Sequence, residues 1–158
     1  MRLSLPFALI RAQDGQSLIE TAITTSLISL LVAGAADFGV AFYKDIEVTD
    51  AARAGATYGA TDPADTTGMT NAAKAAAHDI AADTNFSASA SWGCECFSGS
   101  TPTVPGPNSC TTPPACSMNE VDYVSVTVSD QYSPIFPWPG IPSTIPMSST
   151  VTMRAGTD

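Results

Sequence analysis

The sequence predicts an α+β fold: a long amino-terminal helix, membrane-spanning in its first half, whose outer half and a second helix pack on a small antiparallel sheet of about three strands. Three observations carry this reading. Residues 15 to 43, GQSLIETAITTSLISLLVAGAADFGVAFY, form the only apolar run long enough to meet a bilayer. As one helix, Leu18 to Tyr43 spans roughly 39 Å against a hydrocarbon core of roughly 30 Å. Beyond it no proline intervenes up to Gly59, and Val48, Ala51, Ala52, Ala54 and Tyr58 make one apolar stripe with Gly55 on the side of Val48. Further on, apolar residues alternate with serine and threonine at the period of a half-buried strand.

A chain of 158 residues fits one soluble domain plus an anchor. Its apolar fraction is 44%, but much of that is alanine, so the core is small and built in part on alanine faces. The net charge is −9 with six cations and no basic cluster, which excludes a nucleic-acid binder because phosphate neutralisation supplies most of that affinity. The same charge leaves the helix, rather than a basic patch, to hold the protein to a membrane.

Within the span, Thr21, Thr24, Thr25, Ser26 and Ser29 dilute the apolar run and predict a modest grip on lipid. Glu20 lies two residues inside the apolar start. A carboxylate at mid-membrane costs about 2.5 to 3.5 kcal/mol, so Glu20 either sits at headgroup level or awaits a cationic partner. Ala33, Gly34, Ala35, Ala36 and Gly39 form a small-residue zone that either admits another helix or merely fills a weakly apolar one. Asp37 reads as a hydrated carboxylate at the outer interface. Arg2 and Arg11 precede the span while Asp45, Glu47 and Asp50 follow it with Lys44, which places the amino terminus in the cytoplasm and the bulk outside. The four cysteines then face an oxidising compartment. Residues 1 to 14 do not read as a secretory signal, because Pro6 interrupts the apolar patch Leu3 to Ile10 and Arg11 closes it.

Arg53 is expected to pair with Asp50 or with a carboxylate across the fold. Thr61 to Gly68 reads as a loop, and Thr70 or Asn71 caps a second helix from Asn71 to about Asp83, with Ala73, Ala76, Ala77, Ile80 and Ala81 inward. His78, the one histidine, reads as a surface or capping residue. Phe86, Ala88, Ala90 and Trp92 mark a first strand, Val124, Val126 and Val128 a second, and Met147, Val151 and Met153 a third. Residues 93 to 119 read as a loop ordered by cross-links among Cys94, Cys96, Cys110 and Cys116. One residue separates Cys94 from Cys96, too little for easy disulfide geometry, so each pairs with Cys110 or Cys116 and two connectivities stay open. The C-x-C and C-x5-C spacings fit a zinc site poorly. Ser133 to Pro146 has five prolines and the apolar residues Ile135, Phe136, Trp138, Ile141 and Ile145. It is either a lid on the core or an exposed patch for a surface ligand.

The residues GQSLIE resemble the processing site of type IV pilin precursors, and Asp50 to Tyr58, with Ala51, Ala52, Arg53, Ala54, Gly55 and Ala56, resemble a segment of TadE-like proteins, minor pseudopilins of tight-adherence pili. Both lie in that family's order and spacing. The resemblance implies a leader of residues 1–15 cut by a prepilin peptidase between Gly15 and Gln16, an assembly helix of 16–43 and an extracytoplasmic pilin-like head of 44–158. It implies that Glu20 neutralises a neighbour's new amino terminus at Gln16. It further implies other pilins or pseudopilins and the Tad secretion machinery as partners, and a bacterial inner membrane with the head in the periplasm or on a surface pilus. Loss of residues 1–15 removes Arg2, Arg11 and Asp14 and leaves a charge of −10. Thr21 stands where that family commonly has an aromatic residue, and Asp14 where its leader is often basic.

Catalysis has little support: the one histidine lies in an alanine-rich segment, no G-x-S-x-G element or glycine-rich phosphate loop appears, and the carboxylates are scattered. No enzyme activity and no cofactor are expected. The leading reading is a pseudopilin that assembles, primes or caps a pilus. The alternative is an uncleaved, membrane-tethered extracytoplasmic binding module.

Overall fold

A computed structural model describes residues 13–98, 101–103 and 120–155, with side chains for 15–94 and 121–155. The leader up to residue 12 and the segment holding Cys110 and Cys116 lie outside the described residues. The elements run α1 (Gln13–Gly59), α2 (Thr66–Ala76), β1 (Ser87–Ser98), β2 (Thr101–Thr103), β3 (Glu120–Tyr132) and β4 (Ile145–Arg154). The α+β class expected from the sequence is observed. The chain divides into two compact units, residues 1–39 and 40–158.

In the first unit α1 exposes its large apolar side chains: Leu18, Ile19, Ile23, Leu27, Ile28, Leu30, Leu31 and Val32 are all exposed. Among the described residues α1 is the one helix long and apolar enough to cross a membrane by length and composition. Its hydroxyls are less of a burden than their number suggests. Thr21, Thr24 and Ser26 each donate to the carbonyl four residues earlier, on Ser17, Glu20 and Ala22, at 2.8 Å. A hydroxyl satisfied by its own helix carries no unpaired donor into lipid, so the expected dilution of the span is partly offset. Asp37 is buried, 4% exposed, rather than hydrated as the sequence reading had it.

In the second unit, the antiparallel sheet has the order β2-β1-β3-β4. Its three long strands are the three that alternation marks. Ala88, Ala90 and Trp92 of β1 stand opposite Val128, Val126 and Val124 of β3, and Val124 and Val126 in turn face Met153 and Val151 of β4. These side chains form one face, which packs on Val48, Ala51, Ala52 and Ala56 of α1 and Met69, Ala73, Ala77 and Ile80 in and after α2. The opposite face is a hydroxyl array, in which Thr127 meets Thr150 at 2.8 Å, Ser129 meets Ser148 at 3.0 Å and Thr152 donates to Ser125 at 3.2 Å.

The expected loop start at Gly93 is corrected. β1 continues to Ser98, pairing Cys94 with Asp122 and Cys96 with Glu120, and then turns into the short β2. The strand outlasts its apolar alternation because the ladder to β3 supplies hydrogen bonds whatever the side chains are. Pro102 and Pro146 lie on the two edge strands, where proline is tolerated in a sheet and blunts pairing with other chains.

The second helix is also displaced from its expected position, running Thr66–Ala76 rather than Asn71 to Asp83. Asp65 is the cap: its carboxylate accepts from the Gly68 N–H at 2.8 Å and from the Tyr58 hydroxyl at 2.9 Å. An aspartate at the N-cap outcompetes the later Thr70 and Asn71 because it satisfies an otherwise orphaned amide and also ties the end of α1 to the start of α2. The apolar pattern beyond Ala76 is carried by turns, with Ala77 and Ile80 buried but Ala81 exposed.

At Gly55 the layers meet closely. A Cβ there would lie 2.8 Å from the Met69 carbonyl oxygen, 3.0 Å from Val126 Cγ1 and 3.2 Å from Ala73 Cβ, whereas one at Gly39 would meet nothing within 4 Å. Gly55→Ala is expected to destabilise the head by about 1 to 3 kcal/mol through overpacking. Gly39→Ala in the same chain should leave head unfolding unchanged, as followed by near-ultraviolet circular dichroism in detergent against denaturant.

Candidate functional site

Two groups of residues are candidates for function: the amino-terminal end of α1, which the sequence singles out, and an ionic cluster inside the head, which it does not. At the first, Gly15 and Gln16 lie in the opening turns of α1, exposed, with open space around the Gly15 Cα. The first turn of a helix has amides without intrahelical partners and frays readily. Glu20 is exposed one turn further on, and among the described residues no cation pairs with it.

The AARAGA segment, by contrast, is a packing element. Ala51, Ala52 and Ala56 are fully buried, Gly55 is buried and Ala54 half-buried. The apolar stripe therefore runs through Val48, Ala51, Ala52, Gly55, Ala56 and Gly59. Tyr58, expected on it, lies at the rim with its hydroxyl on Asp65. Arg53 points outward, its guanidinium 3.9 Å from Asp50, one of the two partners the sequence allowed. An exposed pair of this length contributes little.

The ionic cluster joins α1 to the turn after α2 and to β3. Lys44 donates to Asp83 at 2.7 Å and lies 3.7 Å from Asp130, whose side chain is fully buried and accepts no hydrogen bond among the described residues. Glu47, also buried, accepts the Asp79 amide at 2.6 Å, and the Asp79 carboxylate in turn accepts from the Tyr43 hydroxyl at 2.7 Å. The bond to Asp83 holds the Lys44 ammonium above its ordinary range, partial burial opposes this, and the Asp83 and Asp130 charges add to the upward shift. His78 is exposed just past the end of α2, as its isolation suggested.

The sequence contained a signal for this cluster. On β3 the inward face is Val124, Val126, Val128 and then Asp130 at the same parity, and a carboxylate on the buried face of a strand requires a cation. With six cations in the chain, Lys44 was among few choices. Its assignment as a membrane-flanking charge hid its second role. Cys94 is buried and disulfide-bonded, while the side chains of Cys96, Cys110 and Cys116 lie outside the described residues.

Residues 15–57 match the family model described as TadE-like protein, a span that begins at the proposed cut and ends within the packing segment of α1. Neither a curated protein nor a solved structure matches the chain.

Lys44→Ala should destabilise the head by about 3 kcal/mol, because it leaves the Asp130 carboxylate buried without a counter-charge. Adding Asp130→Asn should restore much of the loss, read as the midpoint of urea unfolding. The amide of Gly68 and the hydroxyl of Tyr58 hold the Asp65 carboxyl below its ordinary value of 3.8. A lowered folded value adds stability that is complete above this ordinary value, the unfolded one, and is lost as pH falls through the folded one. Asp65→Asn, which keeps a capping oxygen but does not titrate, should remove that acid-side component from a series of melting temperatures.

Proposed function

We propose that this chain, TadE-like over residues 15–57, is a minor pseudopilin: a prepilin peptidase cuts it after Gly15, and its amino-terminal helix then packs among those of other pilins in a tight-adherence pilus. The family match is the observation that carries the reading. It supports a membrane-anchored, structural role in a pilus system rather than a catalytic one. The exposed apolar surface of α1 before Gly39 suits a helix that exchanges lipid for neighbouring helices, and exposed Ala35, Ala36 and Gly39 leave room for a close backbone approach. Exposed Glu20 suits a carboxylate that meets the new amino terminus at Gln16 of a neighbour, a pairing that offsets the cost of holding it in lipid. The head, in this reading, stands on the periplasmic side of the inner membrane, where disulfides among its cysteines persist.

Intact mass and amino-terminal sequencing of the chain from membranes should give a mature start at Gln16 in the presence of prepilin peptidase and at Met1 in its absence. A chain that keeps residues 1–15 in both would replace this reading with that of a tethered binding module. Glu20→Ala should leave the protein in the membrane fraction and abolish its recovery with other pilins. Normal incorporation of that variant would remove the charge-pairing step.

A further inference from the structure

The loop between β3 and β4 was open to two readings, lid or exposed patch, and the exposures favour the patch. Ile135 is 61% exposed, Phe136 47% and Ile141 36%, and the rings of Phe136 and Trp138 stand edge to face with centroids 6.1 Å apart. No charged residue occurs between Ser133 and Thr144. Several large apolar side chains exposed on one uncharged loop mark a contact surface.

The position of the loop in the head identifies what it touches. Ile135, Gln131 and Tyr132 line a cleft of about 380 Å³ together with Val40 and Lys44 of α1. Val40 follows directly on the apolar run, which exposed Phe42 and Tyr43 continue to Lys44, the first cation after Arg11. A cation closing an apolar helix marks headgroup level, and the cleft sets Ile135 of the loop beside that cation.

We propose that residues 133–144 form a second membrane contact, an aromatic wedge resting in the headgroup region of the leaflet from which α1 emerges. The inference rests on the reading of α1 as a membrane helix. Its chemistry suits that depth. Pro134, Pro137, Pro139 and Pro142 carry no amide N–H, so the loop surrenders few donors on leaving water. Its irregular backbone keeps it out of the hydrocarbon core, and the interface is where tryptophan is favoured. With no lysine or arginine on the loop, attachment needs no anionic lipid and is insensitive to salt.

Full-length protein reconstituted in vesicles of zwitterionic lipid, some brominated near the headgroup end of the acyl chain, tests this by fluorescence. The chain has two tryptophans, Trp92 and Trp138, so subtraction of the Trp138→Phe spectrum isolates Trp138. The expected result is loss of Trp138 emission to the brominated lipid, unchanged by added salt, with Trp92 unaffected. Unquenched Trp138 in protein that resists an alkaline carbonate wash would overturn the proposal while leaving the membrane helix standing. Release by the wash would overturn both. Trp138 that stays unquenched until each vesicle carries a single copy would assign the loop to a second copy of the chain and likewise overturn the proposal.

Discussion

The head depends on one close approach, that of the α1 backbone to the start of α2 and the centre of β3. At Gly55 the Met69 carbonyl and the Val126 side chain come within the space that any Cβ would occupy, and the flanking Ala51, Ala52 and Ala56 are small enough to continue the contact along the helix. A core this thin draws its stability from dense packing more than from large side chains, and dense packing tolerates little added volume. The family match extends to residue 57, well past the apolar run and across this packing segment. The segment is the surface on which the head is built.

A second constraint is electrostatic. β3 carries its alternation one step past the valines and buries Asp130, and the cation that answers it comes from Lys44, where α1 changes from apolar to charged. Lys44 also holds Asp83, and Glu47 one turn on holds the amide of Asp79, so the turn following α2 is fastened to α1 by two separate groups. A buried ion pair of this kind is weak evidence for net stability, since desolvation consumes most of the attraction. Its consequence is positional: strand, turn and helix are brought into one register, and the charges that end the apolar run are used twice.

Much of the fold was legible in the sequence, where a single period dominated. Serine and threonine alternating with valine or alanine marked all three long strands, and the unbroken pattern from Gly15 to Gly59 marked α1. The ends of elements were less legible. α2 begins at Thr66 because Asp65 finds both the Gly68 amide and the Tyr58 hydroxyl, and the second of these belongs to another helix. β1 continues through Cys94 and Cys96 because β3 is there to pair with it.

The sequence by itself determined the apolar helix, the strand periods, the acidic charge and the TadE-like segment, since each is written in the spacing or identity of neighbouring residues. The tertiary structure decided what the alanine-rich motif packs against, which carboxylate Lys44 serves and where the proline-aromatic loop lies. These are contacts between residues far apart in the chain, and no local period encodes which distant surface a side chain will meet. Asp37 shows the limit in a single residue: its place near the outer end of the apolar run suggested water, yet it is buried.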